Sequence, residues 1–373
     1  MKYSLCILCG LLFWVGGHVS AWAADYSSAG DHETRLKNLA EKTQLEKIPH
    51  QALLEDVEVI SLLQQIAGRL WPLLDSNQEP VAIKVIQEAQ PDASTYPNGV
   101  ICLSTGMLSL TSSEDQLAMI IAHEMVHYAR RHGVKAFMLS HKIGPSGDGQ
   151  NSPAADFPYE QNALAQWRET AEQQADEEGL ALIHKAGYCP AEVFPLLAAM
   201  KAADERGHGA SVTTEVASDQ LAHRSTRLRQ LVEKGYPTDH CRPSSAALQS
   251  YEVHMGPALI ADARAAIKRG WWRQAAEDLQ KVLETRPDDA QTYFLLGEVE
   301  SRRGGNSSQA MACFEKAIHI NNGFAPAYRA LGIMHFKAGE FQQARHYFET
   351  SLALAPQDGE NEFIRGYLRQ CSN

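Results

Sequence analysis

The sequence predicts a mainly α-helical chain with a small β-sheet (α+β), followed by a C-terminal α-solenoid. Three observations carry that expectation. An apolar helical stretch over residues 116–129 encloses His123-Glu124-Met125-Val126-His127. Two short runs, residues 81–86 and 100–103, are rich in β-branched residues and read as strands. From about Gly256 onward, small and aromatic residues recur with a period of about 34, the signature of tetratricopeptide (TPR) repeats.

The elements follow in chain order. Residues 1–23 read as a secretory signal, with Lys2 ahead of an apolar core over residues 5–15 and the small-x-small site Ala21-Trp22-Ala23. The mature chain is then expected to begin near Ala24, with residues 24–255 as one domain and 256–373 as the repeat domain. No later segment is apolar enough to cross a membrane. Residues 36–74 carry a helical pattern through Leu36, Leu39, Val59, Leu63, Ile66 and Leu70. A turn over residues 77–80 precedes the first strand, and Pro97-Asn98-Gly99 turns the chain into the second. Residues 143–158, rich in Gly, Pro, Ser and Asp, read as a surface loop, either a cleft lid or a plain insertion.

The helix at residues 116–129 carries the chemistry. Positions four apart share a helix face, so His123 and His127 can grip one metal ion, and Glu124 can reach a water beside it. The flanks are apolar, which fits a helix threading a core better than a solvated face. A buried His pair needs a partner, and a metal is the natural one. Catalytic zinc takes three protein ligands, so a third is needed. Residues 168–176 read as a second helix on which Glu172 and Asp176 share a face. Glu172 is assigned as the third ligand, with Glu169 the alternative that spacing leaves open. Asp176 is expected to accept an imidazole N–H. An H-E-x-x-H-x-x-G-x-x-H extension is excluded, because Arg130 and Gly133 stand at its Gly and third His positions.

Composition narrows the partners. The formal charge is -11, from 34 basic and 45 acidic residues, and no long basic run occurs. Nucleic acid and anionic lipid are therefore poor partners. Five cysteines follow the signal: Cys102, Cys189, Cys241, Cys313 and Cys371. The odd number leaves at least one outside intrachain disulfides. Cys189 with Cys241, and Cys313 with Cys371, are the candidate pairs.

The solenoid divides into repeats near 256–289, 290–324 and 325–358, with a capping helix at 359–371. Ala275, Leu279 and Pro287 mark the first repeat. Tyr293, Gly297 and Phe314 mark the second, and Tyr328, Gly332 and Phe348 the third. The second holds an extra residue around Gly304-Gly305-Asn306. Small residues let paired helices approach while aromatics fill the gaps.

The segments 113–117 and 122–132, Glu172-Gln173-Gln174-Ala175-Asp176 and Ala186-Gly187-Tyr188 together resemble the HtpX/Oma-type zinc metalloproteases. Within them, the soluble TPR-bearing BepA-like branch is most similar. The resemblance implies a gluzincin-type domain with one zinc on His123, His127 and Glu172, and Glu124 as general base. It also implies a periplasmic endopeptidase acting on misfolded or stalled outer-membrane proteins, with the repeats holding substrate or a β-barrel assembly machine. The alternative class is a TPR chaperone or adaptor whose metal site is latent or structural. In the family, a strand like that at residues 100–103 borders the cleft, where an edge could pair with extended substrate. Residues 221–229 resemble a family segment near the metal. His223 is expected there as an oxyanion stabiliser or a plug, although Arg224 replaces the usual Pro. Arg227, or Arg229 by another alignment, is expected as a cation that orders the site through Glu172 or Asp176, or else faces water.

Overall fold

The computed structural model describes residues 53–136, 158–206, 214–236, 244–304 and 307–371, together with residues 34, 37, 38 and 42. The expected signal, most of the 143–158 loop, Cys241 and Gly305-Asn306 lie outside the described residues. The chain divides into two compact units, Met1–Ala258 and Leu259–Asn373.

The first unit opens with α1, Val57–Leu70. The Asp56 carboxylate accepts from the backbone N–H groups of Glu58 and Val59, satisfying two donors that the first turn leaves unpaired. Its apolar positions Val59, Leu63, Ile66, Ala67 and Leu70 fall at helical spacing and are buried. Each fully buried aliphatic side chain of this kind contributes about 1.5–3 kcal/mol.

Three strands follow: β1 (Ala82–Ile86), β2 (Ala93–Thr95) and β3 (Val100–Ser104). The sheet order is β1-β3-β2, with β1 parallel and β2 antiparallel to β3. The strand expected to form the cleft edge, residues 100–103, is therefore central. Its two sides are taken by β1 and β2, so it cannot pair with a substrate backbone. Strands β1 and β2 are the outer ones, and β2 lies against the metal-site helix. Gly99 closes the β2–β3 turn with φ +83°, and a Cβ there would meet the Tyr128 hydroxyl at 2.9 Å. Both the backbone twist and the close ring require glycine.

The short helix α2 (Thr105–Ser109) leads to α3 (Glu114–Ala129). Ser113 caps α3 by accepting from Gln116 N, and Glu114 and Asp115 place negative charge at its positive end. Every residue from Gln116 to Tyr128 is buried. A helix apolar around its circumference goes inside, as its flanks foretell. Helix α4 (Pro158–Lys185) packs along it. Gly187 leaves α4 in the left-handed region (φ +84°), and Tyr188 N returns to Ile183 O at 2.9 Å. This turn is clamped to the start of α3. The Tyr188 hydroxyl donates to Glu114 Oε1 (2.9 Å), and Cys189 N donates to Asp115 Oδ1 (2.6 Å). The Gly-Tyr turn thus sets how the two metal-site helices lie together.

Helices α5 (Val193–Glu205), α6 (Thr214–Gly235) and α7 (Ser245–Arg269) complete the unit. Leu196, Leu228, Val232 and Tyr251 join the core built on α1, β3 and α3. Helix α7 contains Pro257 and runs through the division between units.

The second unit continues with α8 (Trp272–Thr285), α9 (Ala290–Arg302), α10 (Ser307–Ile320), α11 (Ala325–Lys337), α12 (Phe341–Leu354) and α13 (Asn361–Gln370). Gly297 on α9 faces Phe314 on α10, where a Cβ would stand 2.5 Å from the ring. Gly332 on α11 faces Phe348 on α12 in the same way, at 2.6 Å. The expected pairing of small residue and aromatic is thus built twice, 35 residues apart in the glycines.

The cysteine expectation needs correction. Cys189 is disulfide-bonded, with its partner outside the described residues. Cys313 and Cys371 are free. Cys313 lies on α10, which packs with α9 and α11, whereas Cys371 caps α13, which packs on α12. Two helices intervene, beyond the reach of a disulfide.

Candidate metal centre and active site

Helix α3 carries His123 and His127 one turn apart, and their Nε2 atoms lie 3.0 Å from each other. Helix α4 brings Glu172 against both. Its Oε2 is 3.3 Å from His123 Nε2 and its Oε1 3.4 Å from His127 Nε2. Among the described residues, these three form the group able to hold a metal ion. The two Glu172–imidazole separations are close to the ligand–ligand edge of a tetrahedron with arms of 2.0–2.1 Å, about 3.3–3.4 Å, and the 3.0 Å between the two Nε2 atoms is somewhat shorter. Two imidazoles and one carboxylate also suit a borderline cation such as zinc. The donor set and its spacing fit the metal.

Glu124 is fully buried beside this cluster. The Thr95 hydroxyl, at the end of β2, donates to Glu124 Oε2 (2.5 Å), while Oε1 has no hydrogen-bond partner among the described residues. Burial raises its carboxyl to about 7, opposed by the positive charge of His123 and the Thr95 bond.

Asp176, one turn beyond Glu172, has its Oδ1 3.0 Å from His123 Nδ1. It is completely buried and takes two cations from α6. Arg224 donates from Nε (2.9 Å to Oδ2) and Nη2 (2.5 Å to Oδ1), and Arg227 from Nη2 (2.5 Å to Oδ2). Burial alone would raise the Asp176 carboxyl, but Arg224 and His123 hold it well below the usual carboxylate range. Burial likewise opposes ionisation of Glu172, but the two imidazoles lower its pKa to about 2. Burial disfavours a charged His123, yet Asp176 and Glu172 raise it to about 9. His127, buried and beside charged His123, falls to about 3. The two carboxylates thus favour positive charge at this place, and a metal ion bound there would compete with protons for the imidazole nitrogens.

His223, expected near the metal, lies on α6 next to Arg224. Its side chain is exposed, and the neighbour that turns inward is Arg224, whose Nη2 lies 3.3 Å from His123 Nδ1. The expected segment is helical, and Leu221, Arg224 and Leu228 share its inward face. His223 sits about 100° around from Arg224. Arg227 reaches Asp176.

Four further residues escaped the sequence reading: Thr95, His132, Gln174 and Arg224. Arg224 was visible as the Pro replacement but not as a carboxylate partner. Thr95 lies on a three-residue strand too short to show a period. His132 follows Arg131, a non-glycine residue in the left-handed region (φ 57°) that ends the helical run and folds the chain back. Helical spacing would have put position 132 away from His127.

An H-E-x-x-H helix, a glutamate from the next long helix and a small mixed sheet define a metallopeptidase-type domain. Residues 60–289 match Peptidase family M48, and the chain belongs to that family. Residues 260–326 and 325–358 match tetratricopeptide repeats. Among curated relatives, the Beta-barrel assembly-enhancing protease of Yersinia pestis is 20% identical over 154 residues, 37% of this chain and 32% of that protein. The mitochondrial metalloendopeptidase OMA1 of Schizosaccharomyces pombe is 25% identical over 128 residues, 33% of this chain and 38% of that one. The matches thus span about a third of the length of these relatives. Among solved structures, the TPR2AB domain of yeast Sti1 in a pHSP90 complex is similar at 13% identity and a TM-score of 0.30. It covers 70% of this chain and 90% of that one, and at that TM-score it carries no argument. Among the described residues, no helix is long and apolar enough to cross a membrane.

Proposed function

We propose that the protein is a zinc endopeptidase of the bacterial periplasm. In this reading it cleaves misfolded or stalled outer-membrane proteins, and its TPR repeats bind the substrate or an assembly-machine partner. The observation that carries the catalytic part is the convergence of His123, His127 and Glu172 beside a buried Glu124 whose Oε1 is unpartnered among the described residues. A purely structural metal site has no use for that carboxylate.

His123 Nε2, His127 Nε2 and Glu172 would hold the zinc. When bound, the ion supplies a Lewis acid for a carbonyl and for water. Glu124 Oε1 takes the proton of the attacking water and returns it to the departing amide nitrogen. Thr95 pins Oε2, so the free oxygen keeps one direction. Asp176, held by Arg224 and Arg227, fixes the His123 tautomer so that Nε2 offers its lone pair.

Similarity to the Beta-barrel assembly-enhancing protease supports the substrate class, and the signal-like residues 1–23 support the compartment. The test is hydrolysis of an unfolded protein such as casein by the purified chain and by Glu124→Gln. Cleavage by the wild type alone, with both proteins folded and metal-loaded, is expected. Equal cleavage by both would overturn the assignment of Glu124. No cleavage by either, with the cellular role intact in the variant, would favour the adaptor reading.

A further inference from the structure

His123 has a carboxylate behind it; His127 does not. His127 Nδ1 instead lies 3.1 Å from Nδ1 of His132, which is buried. His132 Nε2 is 3.2 Å from Gln174 Oε1, and Gln174 Nε2 donates to Glu178 Oε1 at 2.6 Å. Glu178 is held by Arg130, through Nε (2.8 Å) and Nη2 (2.7 Å), both to Oε2. Arg130 also donates from Nη1 to Asp75 O at 3.0 Å. Trp167 meets the His132 ring edge to face at 5.8 Å.

The polarity of this chain can be read from its far end. Glu178, ion-paired with Arg130, can only accept, so Gln174 must present its NH2 there and its carbonyl oxygen to His132. His132 must then carry its proton on Nε2, which leaves Nδ1 as an acceptor. His127 must in turn carry its proton on Nδ1, which leaves the Nε2 lone pair facing Glu172 and His123. The opposite polarity would set an amide oxygen against a carboxylate.

We propose that His132 and Gln174 are positioning residues that fix the His127 tautomer and orient its Nε2 as a metal ligand. The two ligand imidazoles are then set by different devices. His123 is set by an ionised aspartate and His127 by a neutral relay grounded on the Arg130–Glu178 pair. The left-handed Arg131 serves this arrangement by bringing His132 back against the helix it has just left. The consequence for metal affinity rests on the zinc reading above; the tautomers do not.

The test has two arms on the purified full chain. Long-range 1H–15N spectra with 15N-labelled histidine, on metal-free and zinc-loaded protein, read which ring nitrogen carries hydrogen. His127 is expected as the Nδ1–H form and His132 as the Nε2–H form. A His132 ring carrying hydrogen on Nδ1 would overturn the proposal whether or not zinc binds. The second arm measures zinc affinity by competition with a chromophoric chelator. His132→Phe, which keeps a ring but removes the acceptor, should weaken binding about 10- to 100-fold. His132→Asn, whose side-chain oxygen can replace Nδ1, should restore most of that loss. Gln174→Leu should weaken binding in the same direction. Wild-type affinity in the Phe variant, or equal loss in the Phe and Asn variants, would contradict the relay. A wild type that binds no zinc but shows the expected tautomers would sink the metal reading and leave the relay standing.

Discussion

Arg224 grips Asp176 with Nε and Nη2 while the same carboxylate lies 3.0 Å from His123 Nδ1, so a cation on α6 and a ligand on α3 share one buried anion. Breaking that arrangement leaves Asp176 with Arg227 and His123. Arg224→Met should therefore lower stability by about 1–3 kcal/mol, the usual cost of lost hydrogen bonds to a buried charge. It should also weaken zinc binding. Exposed His223→Ala should change stability by less than about 0.5 kcal/mol and leave casein cleavage intact. Urea denaturation and zinc competition on both variants check the contrast.

Thr95 offers a milder probe of the base than removing Glu124. Thr95→Val keeps the shape and deletes the donor on Oε2. Losing a hydrogen bond to a charged group costs about 1.5–3 kcal/mol, so turnover should fall about 10- to 100-fold with zinc content unchanged. Steady-state kinetics with metal analysis reads this. Unchanged turnover would mean that β2 does not steer Glu124.

The repeat unit has its own pH dependence. Asp278 is buried beside buried Asp262, which accepts from Gln274 Nε2 at 2.8 Å. Burial and the neighbouring Asp262 raise the Asp278 carboxyl well above its ordinary 3.8. A raised folded-state pKa gives stability that is complete below the unfolded value and lost as pH rises through the folded one. Stability of this unit should therefore fall as pH rises above about 4. Asp278→Asn keeps the shape and cannot ionise. It should be more stable than wild type at pH 8, with the advantage shrinking toward pH 4. Chemical denaturation across that range, followed by fluorescence, measures it. An Asn variant equal to wild type at pH 8 would show that the pair carries no such cost.

The glycine–phenylalanine contacts of the repeats predict an overpacking effect. Gly332→Ala should destabilise by about 1–3 kcal/mol, because its methyl would collide with the Phe348 ring. Trimming the ring in Gly332→Ala/Phe348→Leu should recover part of that loss, a non-additivity that a double-mutant cycle reads directly.

The parts legible in the sequence were those written in a period or a fixed spacing. The buried helix around His123 and His127, the strands at β1 and β3, and the repeat spacing of Gly297 and Gly332 all have local signatures. Asp176 could be placed because it stands one helical turn from Glu172. Sheet order was not legible. Strand β2 has three residues, two of them Ala and Ser, and it exists because β3 and α3 flank it. The inward turn of Arg224 depends on how α6 is rotated, which the 221–229 segment does not encode by itself. His132 depends on one backbone angle at Arg131. The Cys313–Cys371 pairing failed because sequence distance says nothing about the helices stacked between them.

The central claim is that His123 and His127 hold one zinc ion together with Glu172. The most direct measurement is zinc content by mass spectrometry after dialysis against a zinc-buffered solution, on the wild type and on His123→Ala/His127→Ala. The account predicts one zinc per chain in the wild type and none in the double variant, with both proteins folded. A folded wild type without zinc, or a double variant that keeps it, would contradict the account.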